Sequence, residues 1–456
     1  MFAWRPRSQG IILQPAIFVR FVSHELVKAT FQTIDGTYDI LPGPAGGNPM
    51  LRVEAWQHVE DKIRRVMRRF AFEEIRTPVL EPVELIARGV GQLTDIVSKE
   101  MFCVERGNST YVLRPEMTAP VMRAFLQHHL EQRGGEQRLF YIGPCFRAER
   151  PQKGRYRQFH QFGAELIGAS DARADAEIIA LNVAIYRECR IEGSVLRINT
   201  LGDAHSRPRY RDALLKYLEP FRAELSPISQ ERLKTNPLRI LDTKQKDERK
   251  LLDSAPRLID YVDKDSREHY EVLKGFLADL SIAYVEDPFL VRGLDYYTRT
   301  AFEIESPHLG AQNSLAGGGR YDLLAGEIGS STTVPGIGFA AGMERMLLAM
   351  EVSGATLPGT PPLDAFLIAL GDAAARVVFR QAQSLREAGL RVTFDLRGRS
   401  MKAQMRAAHR YSARHAVILG DEELRTGQAQ VKSMDTGRQL AVSLEKLSTY
   451  LSDQET

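Results

Sequence analysis

The chain has 456 residues, 43% hydrophobic and 26% charged, values that are ordinary for a soluble globular protein of roughly two to four domains. Its net charge of +3 permits nucleic-acid binding without requiring it, so only the distribution of charge along the chain is informative. Three cysteines without a CxxC pair exclude a disulfide framework and indicate a reducing, cytoplasmic compartment, and no run of ~18 apolar residues offers a membrane span.

The first 33 residues form a basic extension that we leave out of the fold prediction. They contain Arg5, Arg7 and Arg20 and no acidic residue before Glu25. A basic, acid-poor leader of this kind is typical of an organellar transit segment. We favour the alternative, an extension that can remain disordered or a translation start further along the chain.

Residues 34–356 are predicted to form one large domain. A helix is expected over 48–72, where apolar residues recur at helical spacing. The next elements are strands at 74–80, 101–104 and 111–113, a helix at 115–130, strands at 138–142 and 159–167, a helix at 171–190 and a strand at 195–199. Residues 203–280 are rich in charge and lack β alternation, which indicates a mostly helical insertion. Strands then resume at 283–285 and 300–305, before a helix at 340–351.

Residues 354–362 contain three prolines and are predicted to be a linker. Beyond them, in residues 363–456, strands alternate with helices, at 365–370, 373–388, 391–394, 401–412 and 416–419, and an antiparallel pair is expected within 428–444. This alternation predicts a small α/β domain with a parallel core. The expected fold class is therefore α/β overall, with an α+β first domain on a mostly antiparallel sheet.

The densest group of chemically active side chains lies between Phe146 and Gln161, where one strand ends and the next begins. The loop between them holds five cations, Arg147, Arg150, Lys153, Arg155 and Arg157. Such a concentration repels itself unless polyanions bind, and guanidinium groups bind phosphates in bidentate geometry. A solvated hairpin would explain the charges alone. It would not explain Phe159, whose ring can stack on a base, with Gln161 and Glu165 on the same strand face.

Two further regions combine glycine with polar groups. Residues 335–345 are interpreted as a glycine-rich turn that runs into a helix, with Arg345 in its first turns. Residues 290–300 and 316–322 supply Arg292, three tyrosine hydroxyls and backbone without Cβ atoms. That combination suits a small, polar, planar ligand held by hydrogen bonds, although core packing would explain any one of the tyrosines alone.

Together these segments resemble the class II aminoacyl-tRNA synthetases, and their sequences are similar to those of the histidyl-tRNA synthetase family. The resemblance covers residues 34–450, with the motifs in the family's order. Residues 146–161 match motif 2, residues 335–345 resemble motif 3, and residues 78–82 resemble motif 1, which supports the family's dimer interface. The resemblance implies a homodimer that activates L-histidine with ATP, releases pyrophosphate, and transfers histidine to the 3′ end of histidine tRNA.

The resemblance also implies roles for single residues around ATP. The expected ATP-binding residues are Arg147 at the α-phosphate, Glu149 at adenine, Arg155 at a phosphate, Phe159 stacked on adenine and Arg345 at the γ-phosphate. Arg150, Gln152 and Lys153 would contact the acceptor end of the tRNA. Mg²⁺ is expected to bridge the phosphates, with its protein ligands unassigned, and no tightly bound cofactor is expected.

For the amino acid, the resemblance makes Arg292 a transition-state clamp on the α-phosphate and carboxyl group, so the expected catalytic residues are Arg292, Arg147 and Arg345. The other expected histidine-binding residues are Tyr296, Tyr297 and Tyr321 around the imidazole, and Glu116, Thr118, Gln161 and Glu165 around the α-amino group. The sequence departs from the family pattern at Met117 and Leu323, where glycine is usual. Either departure could change the shape of the pocket.

The C-terminal domain is strongly basic in its middle. From 376 to 414 ten Lys and Arg residues stand against two acidic ones, a local balance of +8, so the rest of the chain is net negative. Arg397, Arg399 and Lys402 lie between a strand end and a helix start, where α/β domains bind ligands. The domain resembles the anticodon-binding domain of this class II subgroup, which implies that these three residues contact tRNA phosphates.

Two alternatives stay open from the sequence. The first is a regulatory subunit of ATP phosphoribosyltransferase, a non-catalytic paralogue that binds histidine on the same fold. That paralogue usually lacks the anticodon-binding domain and the catalytic arginines, which this chain retains. The second is a class II synthetase for another amino acid, which would keep motifs 2 and 3 without the peptides at 290–300 and 316–322.

Overall fold

A computed structural model describes residues 31–43, 48–91, 94, 96–151, 154–243, 245–291 and 296–453. Most of the N-terminal extension, together with Gln152, Lys153 and Arg292, therefore lies outside the described residues. Within the described ranges, no helix is both long enough and apolar enough to cross a membrane.

The first 350 residues contain two sheets. Their strands are β1 (Glu73–Glu74), β2 (Leu80–Pro82), β3 (Phe102–Arg106), β4 (Ser109–Leu113), β5 (Gln137–Phe146), β6 (Gln158–Ile167), β7 (Val195–Thr200), β8 (Val285–Glu286), β9 (Thr298–Glu305), β10 (Ser314–Arg320) and β11 (Gly336–Gly342). Among the described residues, eight strands form one sheet in the order β1-β5-β6-β11-β10-β9-β7-β8, and β2-β4-β3 form a smaller one. The large sheet is antiparallel except at its two edges, β1 with β5 and β7 with β8. This arrangement confirms the predicted mostly antiparallel sheet.

Helices cover one face of the large sheet and form the insertion. Their bounds are α1 (Val53–Arg69), α2 (Val83–Val90), α3 (Thr118–Gln127), α4 (Ala172–Glu188), α5 (Ser206–Leu218), α6 (Pro227–Thr235), α7 (Lys246–Leu252), α8 (Lys264–Asp279), α9 (Leu324–Glu327) and α10 (Met343–Val352). Because side chains alternate along a strand, β6 directs Phe162, Ala164 and Leu166 into the core beneath α1, α4 and α10. Its opposite face, which carries Phe159, Gln161 and Glu165, is left for a ligand.

Two local predictions were wrong. Residues 74–80 do not form one strand, because the chain leaves β1 after two residues and pairs again only at Leu80. Pro78 lies in the gap, and proline cannot donate to a strand ladder. Residues 336–342 form strand β11 and not a turn, since the glycines there allow the backbone to lie directly against bulky side chains of neighbouring strands.

A buried ionic network joins the insertion to the large sheet. Arg320 and Asp175 form an ion pair, and both side chains are fully buried. Asp175 also accepts hydrogen bonds from Thr300 Oγ1 at 2.5 Å and from the ring of His269 on α8 at 2.7 Å. Although burial opposes its charge, Arg320 and His269 hold the pKa of Asp175 below its ordinary value. The network fixes the end of β10, which leads directly into Tyr321.

The C-terminal domain has the predicted alternation. Its elements are β12 (Ala365–Ala369), α11 (Asp372–Glu387), β13 (Val392–Phe394), α12 (Met401–Arg410), β14 (His415–Leu419), α13 (Asp421–Thr426), β15 (Gln428–Ser433), β16 (Gln439–Ser443) and α14 (Leu447–Ser452). Strands β13, β12 and β14 are parallel, and β15 and β16 add the expected antiparallel pair. The segment before β12 contacts the first domain, where Thr360 Oγ1 donates to Glu54 on α1 at 2.7 Å.

Candidate active site

A cavity of about 680 Å³ is lined by residues of β6, β9, β10 and β11, on the side of the sheet to which Phe159 and Gln161 point. Its lining includes many residues singled out in the sequence, namely Glu116, Thr118, Arg147, Glu149, Arg155, Phe159, Gln161, Tyr296, Tyr297 and Arg345. Glu165 and Tyr321 lie directly beneath this lining and are fully buried. Segments that are up to 229 residues apart in sequence, from Glu116 to Arg345, therefore meet at one site.

Glu165 is the centre of a buried hydrogen-bond group, here called the Glu165 cluster, which consists of Glu165, Thr118, Tyr141 and Tyr321. Its Oε1 accepts from Thr118 Oγ1 at 2.7 Å and from Tyr141 Oη at 3.1 Å, and its Oε2 accepts from Tyr321 Oη at 2.6 Å. Burial raises the pKa of Glu165 to about 8, and the three hydroxyl donors only partly offset that effect. The carboxyl group can therefore change its protonation state near neutral pH.

Glycines make the Glu165 cluster possible. A Cβ atom at Gly338 would overlap Glu165 Oε2, and one at Gly336 would overlap the ring of Tyr321. At Gly319 a Cβ atom would lie 2.7 Å from Tyr297 Cδ1. The glycines of β10 and β11 therefore leave space for the side chains that surround the ligand, which is the close approach expected from glycine in a strand.

Replacing Gly338 by alanine is expected to lower kcat/KM by about 10²-fold, because a displacement of about 1 Å in a positioned group has that effect. The overlap with Glu165 must be relieved by moving the carboxyl group or β11. Gly326→Ala is the matched control, since a Cβ atom there meets nothing within 4 Å. Equal activity of the two variants in steady-state kinetics would contradict this account of β11.

Tyr296 and Tyr297 line the same end of the cavity, and Tyr321 is buried beneath them. The ring centroids of Tyr296 and Tyr297 are 4.6 Å apart, and the ring of Tyr321 stands edge-on to Tyr296 at 5.9 Å. Burial raises the pKa of Tyr296 and Tyr321 far above the ordinary tyrosine value, so their hydroxyls stay protonated. Neutral hydroxyls beside a titratable carboxyl group suit a small ligand that both donates and accepts hydrogen bonds.

Glu116 stands at the start of α3, beside Thr118. Its carboxylate accepts from the backbone N–H groups of Thr118 at 2.7 Å and Ala119 at 2.9 Å, and so caps that helix. Burial raises the pKa of Glu116, while those N–H groups and Arg147 act in the opposite direction. The carboxylate that was expected to bind an α-amino group therefore also holds the first turn of α3 in place.

The other end of the cavity is cationic. Arg345 donates to the carbonyl oxygens of Ser314 at 2.8 Å and Gly154 at 3.3 Å. Burial, together with the nearby charges of Arg155 and Arg147, lowers the pKa of Arg345. Three guanidinium groups close to one another form a site for a polyanion.

Four of the expected ATP-binding residues contact one another in pairs. Arg155 Nη1 donates to Glu149 Oε2 at 2.7 Å, so the carboxylate expected at adenine is paired with the arginine expected at a phosphate. The guanidinium carbon of Arg147 lies 5.2 Å from the ring centroid of Phe159, a cation–π contact, and Arg147 Nε donates to Pro115 O at 3.0 Å. A nucleotide that enters here would exchange these contacts for its own.

Sequence reasoning missed several residues of the site. Tyr141 on β5 donates to Glu165, and Glu344 at the start of α10 lies in the cavity lining. Arg114 is buried and donates to the carbonyl oxygens of Pro144 and Thr77 at 2.9 and 2.7 Å, which anchors the loop that carries Glu116. The one available signal was the position of Arg114 two residues before Glu116.

Among the described residues that are expected to contact tRNA, namely Arg150, Arg397, Arg399 and Lys402, none lies in the cavity lining. Arg150 is exposed at the loop between β5 and β6, and Gln152 and Lys153 beside it lie outside the described residues. In the C-terminal domain Arg397 and Lys402 are exposed, whereas Arg399 Nε donates to Asp395 at 2.6 Å. The structure therefore separates the expected RNA contacts into one group near the cavity and one on the second domain.

Within the described ranges, no group of three or more His, Cys, Asp and Glu side chains could hold a metal ion. Mg²⁺ that arrives on phosphates needs only one or two protein carboxylates. Glu149 and Glu303 place such carboxylates in the lining of the cavity. The donors present therefore fit Mg²⁺ shared with a nucleotide.

Two protein-family models match the chain, each over a different range of residues. Residues 50–346 match the family model described as histidyl-tRNA synthetase. Residues 364–454 match the model described as anticodon binding domain.

Individual relatives are similar over almost their whole length. The histidine–tRNA ligase of Chloroherpeton thalassium is 44% identical over 431 residues, which cover 93% of this chain and 99% of that protein. The enzyme of the same name from Geobacillus thermodenitrificans is 47% identical over 425 residues, 92% of this chain and 98% of that protein. The crystal structure of apo S. aureus histidyl-tRNA synthetase superposes with a TM-score of 0.77 at 36% identity, covering 92% of this chain and 100% of that one.

Proposed function

The chain belongs to the histidyl-tRNA synthetase family, and we propose that its cavity binds histidine at the Glu165 cluster and ATP at the arginine end. As a member of that family the protein is an aminoacyl-tRNA synthetase, a ligase that attaches histidine to tRNA. The relatives that carry this name match 93% of the chain, and the anticodon-binding domain is present, so the protein is not the regulatory paralogue.

The Glu165 cluster is the observation that carries the assignment of the histidine end. Imidazole has one nitrogen that donates and one that accepts, and a titratable carboxyl group among hydroxyls can serve either nitrogen. We therefore propose Glu165, which the resemblance places around the α-amino group, as a partner of the imidazole instead. Glu165 is fully buried and is held by Thr118, Tyr141 and Tyr321. Glu116 and Gln161, both in the lining, are placed to receive the α-amino group. A ligand without these nitrogens would leave buried polar groups unpaired, which supports selection against it without an editing domain.

The convergence of Arg147, Arg155 and Arg345 supports the nucleotide end. In the first step the carboxylate of histidine attacks the α-phosphorus of ATP, the bond to the β-phosphate oxygen breaks, and pyrophosphate leaves. The protein's part is to hold the two reactants in line and to stabilise charge on the phosphoryl oxygens. We assign this role to Arg147 and Arg345, and to Arg292 on the resemblance of its peptide alone.

Mg²⁺ bound to ATP would neutralise phosphate charge, and Glu303 is a lining carboxylate that would hold it. In the second step the terminal ribose hydroxyl of the tRNA attacks the adenylate carbonyl, and AMP leaves. We propose that Arg150, with Gln152 and Lys153, guides the acceptor end into the cavity.

We also propose a class II homodimer in the cytoplasm. The dimer is supported by residues 78–82, which resemble motif 1 and border an apolar groove that also includes Ile75 and Arg123. The compartment is supported by Cys103, Cys145 and Cys189, all of which are free thiols.

On the second domain we propose that Arg397 and Lys402 contact tRNA phosphates. Their joint replacement by alanine is expected to weaken tRNA binding about tenfold and to reduce the slope of log affinity against log salt by about 2, because each phosphate contact releases about one counterion. Arg425→Ala is the control, since that arginine is exposed and paired with Glu422 on α13. Filter binding across a salt series measures both quantities, and an unchanged slope in the double variant would reject these contacts.

ATP–pyrophosphate exchange with each of the twenty amino acids tests the proposed function. Exchange with histidine alone is expected. Exchange with a different amino acid would keep the ATP site and overturn the assignment of the Glu165 cluster. Absence of exchange with every amino acid would overturn the activation chemistry as proposed.

A further inference from the structure

The segment 34–40, which precedes α1, lies along the loop between β5 and β6. Arg157 N donates to Gly36 O at 2.8 Å, and Arg157 Nη1 donates to Asp35 O at 3.1 Å. Gly36 has φ +83°, and a Cβ atom there would lie 2.8 Å from Arg157 Cγ and 2.9 Å from Pro151 Cγ. The segment is therefore packed closely against the base of the cationic loop, and glycine is required at its turn.

Tyr38, two residues further on, reaches the cavity wall. Its hydroxyl donates to Glu344 Oε1 at 2.6 Å, and its ring stands edge-on to Tyr156 with centroids 4.8 Å apart. The same Glu344 oxygen accepts from His160 N at 2.8 Å. Glu344 is 2% exposed, so a donor that it loses is not readily replaced by solvent.

Glu344 and His160, which make these contacts, are adjacent in sequence to two residues that are proposed to bind the nucleotide. Glu344 directly precedes Arg345 on α10, and His160 directly follows Phe159 on β6. The contact of Tyr38 with Glu344 therefore sets where the first turn of α10 lies relative to β6. Arg345 also donates to Gly154 O, within the loop that the 34–40 segment supports. The Glu165 cluster lies at the other end of the cavity and is held by Thr118, Tyr141 and Tyr321.

We propose that Tyr38, together with Gly36, is a positioning residue for the nucleotide half of the site, acting through Glu344 on Arg345 and Phe159. This inference rests on the proposed function, which places ATP at that half. Loss of the Tyr38 hydroxyl leaves a buried carboxylate short of a donor and loosens α10 against β6. Histidine binding does not depend on that contact, because Glu165 is held by its own three hydroxyl donors.

Histidine-dependent pyrophosphate exchange by Tyr38→Phe tests the inference. The Michaelis constant for ATP is expected to rise about five- to tenfold, within the range for loss of one intramolecular hydrogen bond, while that for histidine stays at the wild-type value. Tyr217→Phe is the matched control, since its hydroxyl also makes one hydrogen bond, to Leu251 O at 2.7 Å in the insertion. It should leave both constants unchanged.

Gly36→Ala is a second, independent variant and should shift the ATP constant in the same direction. An unchanged ATP constant in Tyr38→Phe, or equal rises in both constants, would overturn the positioning role. Thermal denaturation of each variant accompanies the kinetics, and a lowered midpoint without a selective rise in the ATP constant would likewise overturn it. Wild-type protein that shows no histidine-dependent exchange would refute the proposed function instead, so the two failures are distinguishable.

Discussion

Replacing Glu165 by glutamine is expected to lower kcat/KM for histidine by about 10³- to 10⁴-fold, with little change in the Michaelis constant for ATP. When a site binds a polar ligand through buried hydrogen bonds, loss of one matching group lowers kcat/KM by roughly this factor, because the remaining buried polar groups are left unpaired. Glutamine keeps the size of the side chain but offers one acceptor oxygen and an NH₂ group, so the three hydroxyls of the Glu165 cluster cannot all donate to it.

The same variant tests the protonation of Glu165. Because the pKa of Glu165 is raised to about 8, kcat/KM for histidine should rise with pH through that value as the carboxylate forms. Histidine itself titrates in this range, so the informative quantity is the ratio of wild-type to Glu165→Gln activity at each pH. A ratio that stays flat between pH 6 and 9 would contradict the role of the ionised carboxylate.

The pH dependence of the free energy of unfolding provides an independent test of the raised pKa of Glu165. A carboxyl group whose pKa is raised from 4.5 on folding binds more protons in the native state than in the unfolded state between that value and about 8. The free energy of unfolding of the wild type should therefore fall across this interval relative to that of Glu165→Gln. Glu54→Gln is the control in both experiments, since this carboxylate is also hydrogen-bonded, to Gly43 N and Thr360 Oγ1, away from the cavity lining.

Replacing Arg345 by alanine is expected to lower the rate of adenylate formation by about 10²- to 10³-fold, as removal of one preorganised donor does in other enzymes. The guanidinium group is held by Ser314 O and Gly154 O and is surrounded by the charges of Arg147 and Arg155. Its orientation is therefore fixed before ATP arrives, and the cost of ordering it is not incurred during the reaction.

Single-turnover formation of the adenylate separates this effect from product release. Arg345→Lys should recover only part of the activity, because lysine keeps the charge but cannot contact two carbonyl groups and a phosphate together. Arg425→Ala on the second domain removes an exposed arginine and should leave the rate unchanged. If the rate of Arg345→Ala were within a factor of about three of the wild-type rate, the change in activation free energy would be less than about 0.7 kcal/mol. That result would show that Arg345 is not a catalytic residue.

Much of this protein could be predicted from its sequence alone. The loop with five cations before Phe159, the glycine peptides and the order of the motifs indicated the family, and the comparisons confirm it. Helical spacing and strand alternation located most elements to within a few residues, as α4 at Ala172–Glu188 and β6 at Gln158–Ile167 illustrate. These features are local: a periodicity or a spacing within about twenty residues carries them, so one sequence is enough to show them.

The tertiary structure alone decided which side chains meet. Glu165 is held by hydroxyls from positions 118, 141 and 321, and Glu344 by Tyr38, 306 residues away. Such contacts depend on the order and register of the strands, with Gly338 opposite Glu165 and Gly342 opposite Gln161. A one-residue change of register would turn every side chain of a strand to the other face, and no local pattern specifies that register. The sequence by itself therefore determined the family and the chemistry, whereas the pairing of β6 with β11 decided how Glu165 is surrounded and why its carboxyl group titrates near neutral pH.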